Sequence, residues 1–243
     1  MNDTAAITKD VALHEGKAKI IYSTSDPERL IQFFKDDASA FNGKKKGTIV
    51  NKGVINNAIS SSIFRMLEKE GIATHFVDSP KEREMLVKKV EIIPVEVVIR
   101  NVVAGSLAKR MGIEENTPLK ETIIEYYYKD DDLGDPMINQ NHIRVFDLAT
   151  DEEMETINRV SLKINDLLVR FFDSIGIRLV DYKLEFGRSP EGILLADEIS
   201  PDGCRLWDKS TGEKLDKDRF RRDLGNVEQA YEMILKRVTE AIS

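Results

Sequence analysis

The segment Leu179-Val180-Asp181-Tyr182-Lys183-Leu184-Glu185-Phe186-Gly187 holds the densest chemistry in the chain. Successive side chains of a strand point to opposite faces. Asp181, Lys183 and Glu185 therefore share one face, and Tyr182, Leu184 and Phe186 share the other. A carboxylate, an ammonium and a second carboxylate then line one side of a strand whose other side is a core. The same alternation would suit an ordinary solvated face carrying a charge ladder. Asp197, after the apolar run Ile193-Leu194-Leu195, bears on the choice. If the two strands pair with an even register sum, Glu185 and Asp197 share a face. Two converging carboxylates suit a hard divalent cation such as Mg²⁺, which takes one or two carboxylates together with phosphate oxygens.

Further groups suit an anionic ligand. In Gly16-Lys17-Ala18-Lys19 the lysines stand at i and i+2, so both reach one side of an extended segment and can embrace a polyphosphate. Paired lysines on an edge strand also protect against aggregation. No Gly-Lys-Ser/Thr follows a strand, so this is not a Walker loop. Arg100, followed by Ala104-Gly105-Ser106 at the start of a short helix, combines a bidentate donor with backbone N–H groups and a hydroxyl. Arg205 could add a second guanidinium. Ser106 could equally be a helix cap, and either arginine could serve a surface ion pair.

These residues need a scaffold, and the pattern supplies one. Lys19 to Tyr22 and Leu30 to Phe34 flank the turn signal Ser25-Asp26-Pro27 and read as a hairpin, followed by a polar loop over Asp37 to Gly47. Ile55, Ile59, Ile63 and Leu67 recur at helical spacing until Gly71. Thr74 to Val77 and Met85 to Arg100 resume strand character, with Pro94 interrupting the second run. Thr150-Asp-Glu-Glu is a capping box for a helix that runs to Gly176. Strands over Ile177 to Phe186 and Ile193 to Ile199 follow, then a helix bearing Val227, Tyr231, Ile234 and Val238. This order predicts an α+β protein of two lobes, 1–93 and 94–243, with the boundary near Val90 to Arg100.

With 243 residues, 41% hydrophobic and 33% charged, the chain can bury a substantial core. The net charge of −7 opposes nonspecific attraction to nucleic acid or an anionic membrane. No apolar run is long enough to span a bilayer, the N-terminus lacks a secretory pattern, and Cys204 is the single cysteine. A cytoplasmic protein is expected. His14, His75 and His142 have no ligand spacing and read as surface or structural residues.

Taken together, Gly16 to Lys19, Ile92 to Arg100 continuing to Ser106, Asp181 to Gly187, and Asp197-Glu198-Ile199-Ser200-Pro201-Asp202-Gly203 resemble the phosphoribosylaminoimidazole-succinocarboxamide (SAICAR) synthases, nearly end to end. The resemblance implies a two-lobed α+β fold related to ATP-grasp and kinase-like nucleotide binders, with a nucleotide-binding lobe over 1–93, a substrate and metal-binding lobe over 94–243, and ATP between them. It implies that ATP, carboxyaminoimidazole ribonucleotide (CAIR) and L-aspartate give SAICAR, ADP and phosphate. By the same resemblance, Lys17 and Lys19 would contact ATP phosphates, and Glu185 and Asp197 would serve Mg²⁺. Arg100, Ser106 and Arg205 would hold the ribonucleotide, and Asp181 and Lys183 would sit beside the reacting groups. Asp37 to Gly43 resembles the family's mobile loop, with Ser39 as a substrate contact and Asn42 where some members carry aspartate. Asp135 to Asn139 resembles another family motif. A homo-oligomer, a dimer, is implied as well. A small-molecule kinase would use the same lysines and carboxylates but present a positioning group to a hydroxyl acceptor. A noncatalytic nucleotide-binding protein would show no turnover.

Overall fold

The computed structural model describes residues 7–40 and 43–242. The chain opens with β1 (Lys9–Glu15), β2 (Lys19–Thr24), β3 (Arg29–Phe34), β4 (Asp37–Ala40), β5 (Lys45–Thr48) and α1 (Lys52–Lys69). Next come β6 (Phe76–Lys81), β7 (Glu84–Lys88), β8 (Glu91–Ile92), β9 (Val95–Val102), α2 (Gly105–Met111) and β10 (Pro118–Tyr128). After β11 (Met137–Ile138) come α3 (Gln140–Val145), α4 (Asp151–Ser174), β12 (Ile177–Ser189), β13 (Gly192–Ala196) and β14 (Cys204–Asp208). Helices α5 (Asp218–Arg221) and α6 (Val227–Ile242) close it.

This is the expected α+β composition. A five-stranded sheet has the order β1-β2-β3-β7-β6. A seven-stranded sheet has the order β11-β10-β9-β12-β13, with β8 and β14 also pairing β12. β4 and β5 form their own two-stranded ladder. The predicted hairpin is β2–β3, turned at Asp26, whose side chain accepts the Glu28 N–H at 2.9 Å. Pro94 does interrupt the second strand run, falling between β8 and β9.

Helix α4 forms where the capping box places it. The Thr150 hydroxyl accepts the Glu153 N–H at 3.1 Å, and Glu153 accepts the Thr150 N–H at 2.8 Å. Its buried face, Met154, Ile157, Ile164, Leu168 and Phe172, covers β12, β13 and β9. Glu153 also takes the Arg188 guanidinium at 2.6 and 2.9 Å, fastening the helix start to β12. One hydrophobic cluster includes Ile59 and Leu67 of α1, Val97 of β9, Ile164 of α4, Leu184 of β12 and Ile234 of α6. Backbone bonds also tie the two sheets: His75 N donates to Leu195 O at 2.8 Å, and Leu195 N donates to Ala73 O at 3.0 Å.

Two local expectations fail. The stretch read as a polar loop is the β4–β5 hairpin, in which Ser39 faces Lys46. Ala38 and Ala40 bury one face of it, a pattern two alanines are too small to announce. The Asn42 position lies outside the described residues. The strand read as ending at Ile199 ends at Ala196. The register left open between β12 and β13 pairs Glu185 with Ala196, an odd sum, so pairing alone does not put Glu185 and Asp197 on one face. Strands β1 and β10 went unread, β1 because every residue in it is exposed. Among the described residues no helix is long and apolar enough to cross a membrane.

Thr150→Ala should remove one N-cap bond and cost about 1 kcal/mol. Thermal unfolding should show the midpoint falling by about 2–4 °C, and an unchanged midpoint would show that the cap is idle.

Candidate active site

Lys19 starts β2 in the five-stranded sheet, and Asp197 follows β13 in the seven-stranded sheet. Lys19 Nζ contacts Asp197 Oδ1 and lies 2.9 Å from Glu198 Oε1. This ion pair spans a cleft of about 560 Å³, whose walls include Lys17, Lys19, Lys183, Glu185 and Asp197. Five of the residues singled out in the sequence therefore meet in one place. Lys17 sits in the turn before β2, closed by Gly16 N donating to Lys19 O at 2.8 Å. Its ammonium pairs with Asp131 Oδ1 at 2.6 Å.

The face of β12 bearing Asp181, Lys183 and Glu185 is not a solvated ladder, because Asp181 and Glu185 are each 3% exposed. Lys183 donates to Glu96 Oε1 at 2.8 Å and to Glu185, and stands 3.7 Å from Asp197 Oδ2. Glu185 also receives Lys129 at 3.3 Å. Burial alone would lower the Lys183 ammonium, but Glu185, Asp197 and Glu96 outweigh it and hold the group well above its ordinary value. Lys19 is raised in the same way, against burial, by Asp197 and Glu198. Burial would raise the Asp197 carboxyl, yet Lys19 and Lys183 keep it well below the usual carboxylate range. Lys19, Lys183 and Asp197 are thus each held in their ionised form by neighbours of opposite charge.

The odd register would place Asp197 on the opposite face from Glu185 if β13 continued. It does not continue. Asp197 has a φ of 62°, in the left-handed region, which turns its side chain back into the cleft. The Gln32 side chain donates to the Asp197 carbonyl at 3.2 Å and helps to hold that turn.

A second cluster lies along β12. Asp181 pairs across the sheet with Arg100 of β9 and Arg205 of β14. Its carboxylate receives Arg100 at 2.7 Å and Arg205 at 2.8 Å. Arg100 also donates to Glu125 at 2.6 Å and to the Ser106 hydroxyl at 3.0 Å. Gly105, at a φ of 54°, brings the chain so close to the Arg205 guanidinium that a Cβ there would collide with it. Asp181 stands two positions from Lys183, roughly 7 Å along the strand. The second cluster therefore adjoins the cleft without forming its wall. Ser39, on β4, does not line the cleft either.

Glu185 and Asp197 can serve a divalent cation only as a pair, since no group of three or more metal-binding side chains occurs among the described residues. Two carboxylates suffice where phosphate oxygens complete the shell. Sequence reasoning gave no role to Glu96, Lys129, Asp131, Glu198 or Lys217, all in the cleft wall. Glu96 and Glu198 lay inside the motifs that were noted, while Lys129 and Asp131 sit in a loop without periodicity.

His75 also lines the cleft and is 3% exposed. Its Nε2 has no hydrogen-bond partner, and its ring meets Phe64 edge-on at 5.5 Å. It is the structural histidine of the three. His142 caps α3 through Nδ1, and His14 is exposed on β1.

The SAICAR synthetase family model matches residues 12–238. The phosphoribosylaminoimidazole-succinocarboxamide synthase of Magnetococcus marinus is 60% identical over 233 residues, 95% of this chain and 96% of that protein. The crystal structure of the enzyme of that name from Ehrlichia chaffeensis superposes with a TM-score of 0.93 at 50% identity, covering 94% of this chain and 98% of that one. A SAICAR synthetase in complex with ADP superposes at 0.90 with 47% identity, covering 93% and 97%.

Burial lowers the His75 imidazole to about 4. The unfolded chain takes up this proton near pH 6.5 and the native protein does not until about 4, so stability contributed by neutral His75 is lost as pH falls through that window. The slope should approach about 1.4 kcal/mol per pH unit. Chemical denaturation of wild type and His75→Gln between these pH values should show the two curves converging toward acid, and parallel curves would contradict a neutral buried imidazole.

Proposed function

The chain belongs to the SAICAR synthetase family, and from that premise we propose that it joins L-aspartate to the carboxylate of CAIR at the expense of ATP, giving SAICAR, ADP and phosphate. The observation that carries the reading is the cleft in which lysines of one sheet meet carboxylates of the other, Lys19 against Asp197 and Glu198. The ADP bound by a structure 47% identical supports a nucleotide in this cleft.

In the proposed reaction Lys17 and Lys19 receive the ATP phosphates. Glu185 and Asp197 hold Mg²⁺, which when bound would screen the phosphate charge and orient the terminal phosphoryl group. Arg100, Ser106 and Arg205 receive the ribonucleotide's phosphate by charge-assisted hydrogen bonds. Asp181, which already receives both guanidiniums, is the residue that fixes their positions. Lys183, two places along β12, stands beside the reacting carboxylate.

A carboxylate is a poor electrophile, because its charge is delocalised and its leaving group would be oxide. Phosphorylation to an acyl phosphate removes both obstacles, and the aspartate amine then displaces phosphate. Positioning and electrostatic stabilisation must do this work. Cys204 is buried, with a thiol pushed well above its ordinary value by burial and by Glu198, and is no nucleophile.

ADP release should require both CAIR and aspartate, each omitted in turn. Release with CAIR alone at the full rate would indicate a kinase. With ¹⁸O in the CAIR carboxylate, one labelled oxygen should leave in inorganic phosphate, and unlabelled phosphate alongside SAICAR would exclude the acyl phosphate.

Arg100 is an unsuitable probe of the ribonucleotide contact. Removing it breaks two buried ion pairs at once, leaving Asp181 with Arg205 alone and Glu125 with Arg110 alone, and should destabilise the fold. Ser106 is exposed and meets Arg100 only at its tip. Ser106→Ala should raise the KM for CAIR about tenfold, the loss of roughly 1.4 kcal/mol, and leave that for ATP unchanged. An equal rise for ATP would remove Ser106 from the ribonucleotide site.

A further inference from the structure

Glu115 lies in the loop between α2 and β10, outside the cleft wall, yet several donors converge on its carboxylate. The Gly105 N–H reaches Oε1 at 3.0 Å, Arg222 spans both oxygens at 2.5 and 2.9 Å, and Lys214 stands 3.4 Å from Oε2. Arg222, helped by the Gly105 N–H and Lys214, holds the carboxyl at about 2 against burial, so it is ionised at neutral pH. The loop that carries it is braced. Val103 N donates to Thr117 O and Asn116 N donates to Val103 O, both at 2.9 Å. Asn116 turns the chain at a φ of 72°, and its side chain receives Arg178 at 2.8 Å.

What this carboxylate holds is the start of α2. The first N–H groups of a helix have no partner within it, and Ala104, at the N-cap, has no side chain to offer them. Glu115, ten residues on, takes the Gly105 N–H instead, and a negative charge at that end is favoured by the helix dipole. The turn it fixes is a demanding one. Gly105 sits at a φ of 54°, where a Cβ would lie 2.4 Å from Arg205 Nη2. One residue further, the Ser106 hydroxyl receives Arg100 at 3.0 Å. Glu115 thus grips from behind a turn whose front meets both guanidiniums. It also reaches Arg205 by a second route, since Arg222 lies 3.4 Å from Asp218, which receives Arg205 at 3.0 Å. A carboxylate near a phosphate contact would repel the ligand, but Arg222 and Lys214 offset its charge. The side chains of Glu115 and Arg222 are 32% and 37% exposed, so their pair adds little to stability.

Resting on the ligase reading, we propose that Glu115 is a positioning residue for the ribonucleotide: its bond to the Gly105 N–H fixes the turn that sets Ser106 and Arg205 for the phosphate of CAIR. It touches no substrate and acts through the α2 backbone.

The test is steady-state kinetics of Glu115→Ala and Glu115→Gln. Alanine removes the acceptor, whereas glutamine loses the charge but keeps a carbonyl oxygen for the Gly105 N–H. Glu115→Ala should raise the KM for CAIR about tenfold, the loss of roughly 1.4 kcal/mol. Its kcat and its KM values for ATP and aspartate should stay within about twofold, a split that general damage to the fold would not produce. Glu115→Gln should bring the CAIR KM back to within about threefold of wild type. A CAIR KM that is unchanged or falls in Glu115→Ala overturns the proposal, as does a rise shared by ATP and aspartate. An equal rise in both variants overturns it too, by assigning the effect to charge rather than to the backbone bond. Should Glu115→Ala fail to fold, Glu115→Asp, one methylene short of the Gly105 N–H, takes its place. Failure of the ligase reading looks different, since wild type would then release no aspartate-dependent ADP.

Discussion

A buried charge must be paired, and this protein is arranged around that requirement. Lys19 leaves the five-stranded sheet to meet Asp197 and Glu198, and Lys183 leaves the seven-stranded sheet to meet Glu96, Glu185 and Asp197. Removing Lys19 or Lys183 would leave half-buried or buried carboxylates short of a partner. The hydrophobic cluster supplies most of the stability, but it does not say where the two sheets must stand relative to each other. The ion pairs do, because their geometry tolerates little sliding.

The same requirement accounts for the strain at Asp197. A β13 that continued in register would aim this carboxylate away from the lysines, since Glu185 sits opposite Ala196. A left-handed residue other than glycine costs of order 1–3 kcal/mol, and such strain persists only where its surroundings impose it. Here Gln32 fixes the Asp197 carbonyl, while Lys19 and Lys183 hold its side chain. Convergence of the two acids is thus achieved by ending a strand rather than by pairing it.

That device shows what the sequence could and could not tell. Helix α4 was legible to its first residue, because a capping box and an apolar stripe are local signals. The alternation in β12 correctly separated Tyr182, Leu184 and Phe186 from Asp181, Lys183 and Glu185, as one strand's pleat requires. What was invisible was pairing. Nothing local indicates that Asp181 meets Arg100 and Arg205 from two neighbouring strands, or that Lys129 and Asp131 arrive in the cleft from a loop. β10, a long strand, escaped because its first half is polar and partly exposed, so neither period stands out. Lys217 carried no signal, since a charged stretch such as Lys217-Asp218-Arg219 reads as solvated surface until the fold turns it inward.

The ion pairs also differ in how easily they could yield to a ligand. Lys17 and Asp131 are 43% and 63% exposed, so their pair is worth about 0–1 kcal/mol and can be exchanged at little cost. Lys19 and Asp197 are 16% and 17% exposed, and parting them would leave each with one weaker or shared partner, Glu198 and Lys183. An incoming triphosphate with its cation could replace that inner pair only by substituting both halves at once, phosphate oxygen for carboxylate at Lys19 and divalent cation for ammonium at Asp197. Each side chain would keep an opposite charge throughout. A phosphate arriving without its cation would face Asp197 with only Lys183, 3.7 Å away, to offset the repulsion. Under the proposed reaction, the inner lysine therefore selects the metal-bound form of the nucleotide, while the outer lysine serves either.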